Sequence, residues 1–199
     1  MLHHLEQLDI RVTLFLNSLH CPCLDNLMMW CTNGMNWLPL YVLILALLVK
    51  YYGKQTIIIL LFAALLIAIT DQVSSNLFKN VFMRIRPCSD SHINNMIHIV
   101  GNYRSGGYSF TSSHATNFFA IGVFLIGLLG KKIKYFTPIT LLCVSFIAYT
   151  RIYLGVHFAG DVLCGAFAGT LAGFLMQLLF KFSERRFLSR NDFFRSSQM

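Results

Sequence analysis

Five apolar stretches, at about residues 37–50, 56–78, 115–130, 135–150 and 157–180, set what this chain can fold into. A helix that crosses a bilayer needs about 20 mostly apolar residues. In lipid, each spanning segment must also satisfy its own backbone hydrogen bonds. The pattern predicts an all-α protein, a polytopic transmembrane helix bundle of about five spans. The first stretch is short, so it is either tilted or completed by the segment before it. Composition agrees: 56% of residues are hydrophobic and only 12% are charged, against about 25% charged in a soluble domain.

The stretch before the first span has a different character. Leu5, Leu8, Val12, Phe15, Leu16 and Leu19 recur at helical spacing, with Glu6, Asp9 and Arg11 off that stripe. This predicts an amphipathic helix lying at the membrane interface or against the bundle. Pro22 breaks the chain, and residues 24–36 follow as a second short helix, with Trp30 and Trp37 as interfacial anchors. Met1 to Asp9 is polar and lacks the basic start of a cleavable signal. One domain over residues 1–199 is expected: interfacial N-terminal helices at 1–36, a transmembrane core at 37–180, and a charged, frayed cytoplasmic tail at 181–199.

The basic residues fix an orientation. Lys50 and Lys54, then Lys131, Lys132 and Lys134, then Lys181, Arg185, Arg186, Arg190 and Arg195 fall on one side of a five-span bundle. Lys79, Arg84, Arg86, Arg104 and Arg151 fall on the other. The positive-inside rule puts the larger group in the cytoplasm. The net charge of +8 is therefore read as membrane-edge charge. No basic face with interleaved aromatics emerges, and no nucleic-acid partner is expected. The six cysteines form no zinc-ligand spacing with histidine. Cys21 and Cys23 flank Pro22, too close in sequence for an ordinary disulfide. Cys143 and Cys164 read as buried small hydrophobes.

Three polar clusters interrupt this apolar frame, and the predicted topology brings all three to the face opposite the cytoplasm. The first runs from Lys79 to Pro87 and contains Arg84 and Arg86. The second is Ser109-Phe110-Thr111-Ser112-Ser113-His114. The third runs from Arg151 to Asp161 and contains His157. Each has an ordinary reading. Lys79 and Arg86 could be edge cations whose stems lie along the membrane. His114 could be a structural residue opening a helix. His157 and Asp161, one helical turn apart, could be a capping pair. Taken together, the clusters offer fixed cations that match phosphate oxygens, a helix start with free N–H groups, and an imidazole oriented by a carboxylate. That inventory suits chemistry at a phosphate. A loop of about thirty residues joins the first cluster to the second and is long enough to be functional. His3, His4, His20, His92 and His98 are given no role.

These residues resemble the signature of the type 2 phosphatidic acid phosphatase superfamily. Lys79, Arg86 and Pro87 match its first part, Ser112 and His114 its second, and Arg151, His157 and Asp161 its third, in order and at matching spacing. The resemblance implies that His157 is a nucleophile forming a phosphohistidine, that Asp161 orients it, and that His114 protonates the leaving oxygen. It implies that Lys79, Arg86, Arg151, Ser112 and Ser113 hold the phosphate, with no metal and no other cofactor. The chain departs from the pattern at Thr111, where proline is usual, at Ser113, where glycine is usual, and at Thr150, where serine is usual. If the cradle needs positive φ, Ser113 would be strained.

The expected protein is an integral membrane phosphatase, with a membrane lipid as substrate and the bilayer as surroundings. Its site would face the exterior of the cytoplasmic membrane. Undecaprenyl diphosphate and lipid A phosphate rank equally as substrates, with phosphatidylglycerol phosphate hydrolysis and lipid-to-lipid phosphotransfer as alternatives. A non-catalytic lipid phosphate carrier is the rival from another class; it would need the cations and not His157.

Overall fold

The computed structural model describes residues 2–196, with side chains from residue 3 to 186. The chain forms α1 (Leu2–Ser18), α2 (Pro22–Thr32), α3 (Leu38–Tyr52), α4 (Thr56–Gln72), α5 (Lys79–Phe82), α6 (Ser113–Leu129), α7 (Phe136–Tyr153) and α8 (Ala159–Ser196). A π-helical stretch, Val73–Phe78, joins α4 to α5 without a break in the rod. Among the described residues there is no strand. Three stretches are long and apolar enough to cross a membrane: Gly34–Phe82, Phe136–Tyr153 and Ala159–Arg186. The first of these is folded into two legs, α3 and α4, at Gly53–Gln55. The apolar Ser113–Leu129 is shorter. Every expected apolar stretch is therefore helical over most of its length. The region expected to fray after residue 180 instead continues α8 as helix; the side chains of 187–196 and all of 197–199 lie outside the described residues.

The bundle is held by apolar packing along its length. Leu48 of α3, Ile59 and Leu66 of α4, Phe124 and Leu129 of α6 and Met176 and Phe180 of α8 form one buried cluster. Outward-facing Leu142, Leu163 and Phe167 stay about 70% exposed, the pattern of a lipid-facing surface. The closest approach is between α6 and α8. A Cβ on Gly165, Gly169 or Gly173 would meet a backbone oxygen of α6 (Ser112, Thr116 or Ala120) at 2.7, 2.2 or 2.3 Å. Small residues at every fourth position let the two backbones touch, as in small-xxx-small membrane interfaces. This contact locks the start of α6 against the start of α8.

α1 packs with the opposite face to the one its hydrophobic stripe suggests. Leu5, Leu8, Phe15 and Leu19 are more than half exposed, while Thr13 and Asn17 are buried. Asp9, Thr13 and Asn17 recur every fourth residue and turn inward. In a bilayer this is reasonable: leucines gain nothing by leaving lipid for protein, whereas polar groups must find partners. Asn17 Nδ2 donates to the carbonyls of Ile152 and Tyr153 at 3.1 and 2.8 Å, and its Oδ1 accepts from the His98 N–H at 2.8 Å.

The long loop between Met83 and Ser112 is irregular but packed. Cys88 and Val100 are buried with Met28 of α2 and Tyr153, Leu154 and Val156. The turn after α7 needs Gly155: its φ is +68°, and a Cβ there would meet Ile97 Cγ2 at 2.3 Å. Cys21 and Cys23 are bridged, contrary to expectation, with Cα atoms 5.4 Å apart.

Candidate active site

His157 is not helical. The expected helix start at 157 is displaced: α8 begins at Ala159, and His157 lies in the turn Leu154–Phe158. Asp161, in the first turn of α8, reaches back so that its Oδ2 accepts the Phe158 N–H at 2.9 Å. This is half of a capping box. Two further free N–H groups of the helix start are capped by α1. The Ala159 N–H donates to Thr13 Oγ1 at 2.9 Å and the Gly160 N–H to Asp9 Oδ1 at 2.7 Å. The capping and functional readings of the His157–Asp161 pair are thus both met, because the cap places the carboxylate beside the imidazole. Asp161 Oδ2 lies 3.6 Å from His157 Nδ1.

Around this pair, Ser109 Oγ donates to Asp161 Oδ2 and lies 3.4 Å from His157 Nδ1. On the ring's other side, Arg86 Nη1 is 2.9 Å from His157 Nε2. A guanidinium only donates, so Nε2 is the acceptor and the ring proton sits on Nδ1, facing Asp161 and Ser109. Asp161 is fully buried. Its charge is balanced by Arg84, whose Nη1 lies 2.8 Å from Oδ1, while Arg84 Nη2 pairs with Asp9 at 2.7 Å. Arg84 also stacks on Phe158, 3.7 Å from the ring centre. Burial pushes the His157 imidazole down to about 4, with Arg86 and Arg151 acting in the same direction and its bond to Asp161 opposing. The ring is neutral at physiological pH.

Arg86 is buried and held by backbone. Its Nε donates to the Gly106 and Gly107 carbonyls at 3.2 and 3.1 Å, and Nη1 donates to the Val156 carbonyl at 2.9 Å. Arg151 lies in the last turn of α7, not in a connection. Its Nη1 donates to Thr32 Oγ1 at 2.5 Å and reaches Tyr103 Oη at 3.3 Å. Lys79 is half-buried and within electrostatic reach of Arg86 and Arg151. His114, second residue of α6, lies within electrostatic reach of Arg151 and His157. The three clusters therefore meet.

The α6 start differs in detail from expectation. Ser112 is its N-cap: Oγ accepts from the Ala115 N–H at 3.4 Å, and the Ser112 N–H donates to the Asp161 carbonyl at 3.2 Å. Its N–H and its Oγ lone pair are thus engaged internally, as is its carbonyl, which accepts from the Thr116 N–H at 2.9 Å. The N–H groups of Ser113 and His114 have no partner among the described residues. Ser113 has ordinary helical backbone, so no strain arises from its replacing glycine; its Oγ is 3.3 Å from Ser75 Oγ. Thr150 Oγ1 bonds its own helix at the Ile147 carbonyl, 2.6 Å away. His114 Nε2, Thr111 Oγ1 and Arg151 Nε are buried without a hydrogen-bond partner among the described residues. Buried polar atoms are rarely left unpaired; here one comes from the second cluster's loop, one from α6 and one from α7.

Sequence reasoning gave no role to Ser109, Arg84, Asp9, Thr13 or Tyr103. Ser109 and Arg84 stand inside the quoted clusters; Asp9 and Thr13 were signalled only by their four-residue spacing.

A membrane helix bundle that gathers buried cations, a neutral imidazole and a carboxylate at one end defines an integral membrane phosphatase. Residues 56–185 match the PAP2 superfamily, and the chain belongs to that superfamily. It is 33% identical over 181 residues to the lipid A 4'-phosphatase of Bacteroides thetaiotaomicron, covering 90% of this chain and 80% of that one. It is 28% identical over 188 residues to the lipid A 4'-phosphatase of Porphyromonas gingivalis, covering 94% and 79%. Among solved structures, a transmembrane PAP2-type phosphatidylglycerolphosphate phosphatase from Bacillus subtilis has the same fold, with a TM-score of 0.70 at 23% identity over 89% of this chain and 87% of that one. LpxE of Aquifex aeolicus follows at 0.63 and 23%, covering 85% and 94%. The protein is a membrane enzyme that hydrolyses lipid phosphates.

Proposed function

We propose that this enzyme removes a phosphate from lipid A or a closely similar saccharolipid, at the outer face of the cytoplasmic membrane, through a phosphohistidine. The observation that carries the chemistry is the fixed tautomer of His157. Asp161 and Ser109 face the protonated Nδ1, and the lone pair of Nε2 points at Arg86, a cation suited to a phosphate oxygen. Substrate phosphate replaces Nε2 as the acceptor of Arg86, which brings phosphorus to the nucleophile. Nε2 forms the new N–P bond as the P–O bond to the lipid breaks. His114, protonated once the phosphate dianion lies beside it, gives that proton to the departing oxygen, and Asp161 stabilises the charge that grows on the His157 imidazole. Lys79, Arg86, Arg151 and the N–H groups of Ser113 and His114 balance the charge on the phosphoryl oxygens. Water then attacks phosphorus, His114 takes its proton, and the N–P bond breaks to release inorganic phosphate.

The substrate rests on the two curated relatives, both named for the 4'-phosphate of lipid A. The outward site rests on the asymmetry of basic residues across the spans. The test is phosphate release in detergent, with chelator present, from lipid A, undecaprenyl diphosphate, phosphatidylglycerol phosphate and phosphatidic acid. Release should be fastest from lipid A and fall to background in His157→Ala. Equal release by that variant would remove His157 as nucleophile. Release from none of the lipids by folded wild type would favour a carrier.

A further inference from the structure

The mechanism leaves one polar cluster on the membrane-spanning helices unused: Asp71 and Gln72 are exposed on the outer surface of the bundle and Asn117 is partly buried. Asp71 stands on a membrane-spanning helix, where a carboxylate is costly and needs a partner. It lines a groove of about 630 Å³ between α4 and α6, together with Gln72 and Asn117 and the apolar Ala64, Ile67 and Ile121. Asn117 is held with its polar atoms fixed: Oδ1 accepts from Thr70 Oγ1 at 2.7 Å, and Nδ2 reaches Asp71 Oδ1 only at 3.5 Å. Asp71 Oδ2 accepts no hydrogen bond among the described residues. The cluster is tied to the site. Asn117 lies three residues after His114, on the same helix face. Ser75 of the π-helical stretch and Ser113 of α6 lie 3.3 Å apart through their hydroxyls, and the charge of Asp71 reaches Lys79.

Asp71 stands eight residues, about two helical turns, before Lys79 on one continuous rod, so a lipid whose phosphate lies beside Lys79 and whose chains run down α4 passes this groove. A carboxylate only accepts hydrogen bonds, so it rewards a donor there. Ester-linked acyl chains and polyprenyl chains carry none. An amide-linked or hydroxylated acyl chain carries an N–H or O–H. We propose that the α4–α6 groove is a specificity subsite in which Asp71 accepts a hydrogen bond from an amide N–H or a hydroxyl in the acyl-linkage region of the substrate. This deepens the saccharolipid reading above and rests on it.

The test compares two synthetic lipid phosphates, each an acylated glucosamine phosphate with chains of equal length, one amide-linked and one ester-linked. The readout is the ratio of their kcat/KM values. Wild type should favour the amide roughly ten-fold or more, the size of a hydrogen bond to a charged group. Asp71→Leu should bring the ratio close to one. If that variant does not fold, Asp71→Asn keeps the shape with a weaker acceptor and should lower the ratio about three-fold. A wild-type ratio near one overturns the subsite while leaving the phosphatase reading intact. A ratio as large in Asp71→Leu or Asp71→Asn as in wild type also overturns it, because loss on both lipids together is an effect on folding or on Lys79. Hydrolysis of neither lipid by wild type sinks the saccharolipid reading and the subsite with it.

Discussion

Replacing Asp9 with alanine tests whether the N-terminal helix is part of the site or only a neighbour. Asp9 makes two contacts beyond its own helix, Oδ1 with the Gly160 N–H and Oδ2 with Arg84 Nη2, both at 2.7 Å. The first is a charge-assisted hydrogen bond at a helix start, worth about 1.5–3 kcal/mol. The second is an ion pair between side chains 25% and 15% exposed, which counts for only about 1 kcal/mol after solvent screening. Water replaces part of both, so the net loss is about 2–3 kcal/mol. For a chain of this size each kcal/mol moves Tm by about 2–4 °C, giving a fall of roughly 5–10 °C in detergent. Asp9→Asn keeps an acceptor for Gly160 and should lose about half as much. Function should respond through Arg84, which then holds Asp161 without its second anchor. Because Asp161 orients His157 in the proposed mechanism, kcat should fall about three- to ten-fold with KM little changed. A thermal scan and initial rates on the same detergent preparation read both. An unshifted Tm with full kcat in Asp9→Ala would show that α1 merely lies beside the bundle and would refute the coupling.

Two further outcomes follow from the geometry. In Gly169→Ala the new Cβ meets Thr116 O at 2.2 Å and the Ala120 N at 3.1 Å, so backbone has to move; the cost is about 1–3 kcal/mol, with a lower Tm and reduced activity as the α6 and α8 starts separate, and an unaltered variant would mean that this contact does not set their spacing. The pH profile should carry the second: His157 acts neutral, and burial holds its free-enzyme value down at about 4, so the base form is present above that value and the His157 limb of kcat/KM should drop only as pH falls through about 4. A His157 limb near the ordinary 6.5, measured on a substrate whose own ionisation is known, would show that the imidazole is solvated in the working enzyme.

The spans were readable because lipid leaves a chain few choices. His157, His114, Asp161, Lys79, Arg86 and Arg151 were readable as a group because topology alone brings their clusters to one end. The details that sequence missed share a cause. His157 was placed on a helix because His and Asp four apart fit both a helical turn and a cap, and nothing local decides between them. Ser109 was passed over because its partners, Asp161 and His157, lie some fifty residues away across an irregular loop.

α1 carries the wider point. Its leucine stripe marks it as amphipathic, yet the protein-facing side is the polar one. The rule that apolar faces pack inward holds where water is outside. Where lipid is outside, Leu5 or Leu8 is equally at home facing out, and the inward face is chosen by whichever groups have no partner in hydrocarbon. Asp9, Thr13 and Asn17 are such groups. They meet the unsatisfied N–H groups of Ala159 and Gly160 and the carbonyls of Ile152 and Tyr153, which flank the turn that holds His157. The same reasoning makes Asp71 a position to probe: a carboxylate on a spanning helix that lines a groove and leaves one oxygen without a partner among the described residues has, on the proposal above, the substrate itself as the donor it needs.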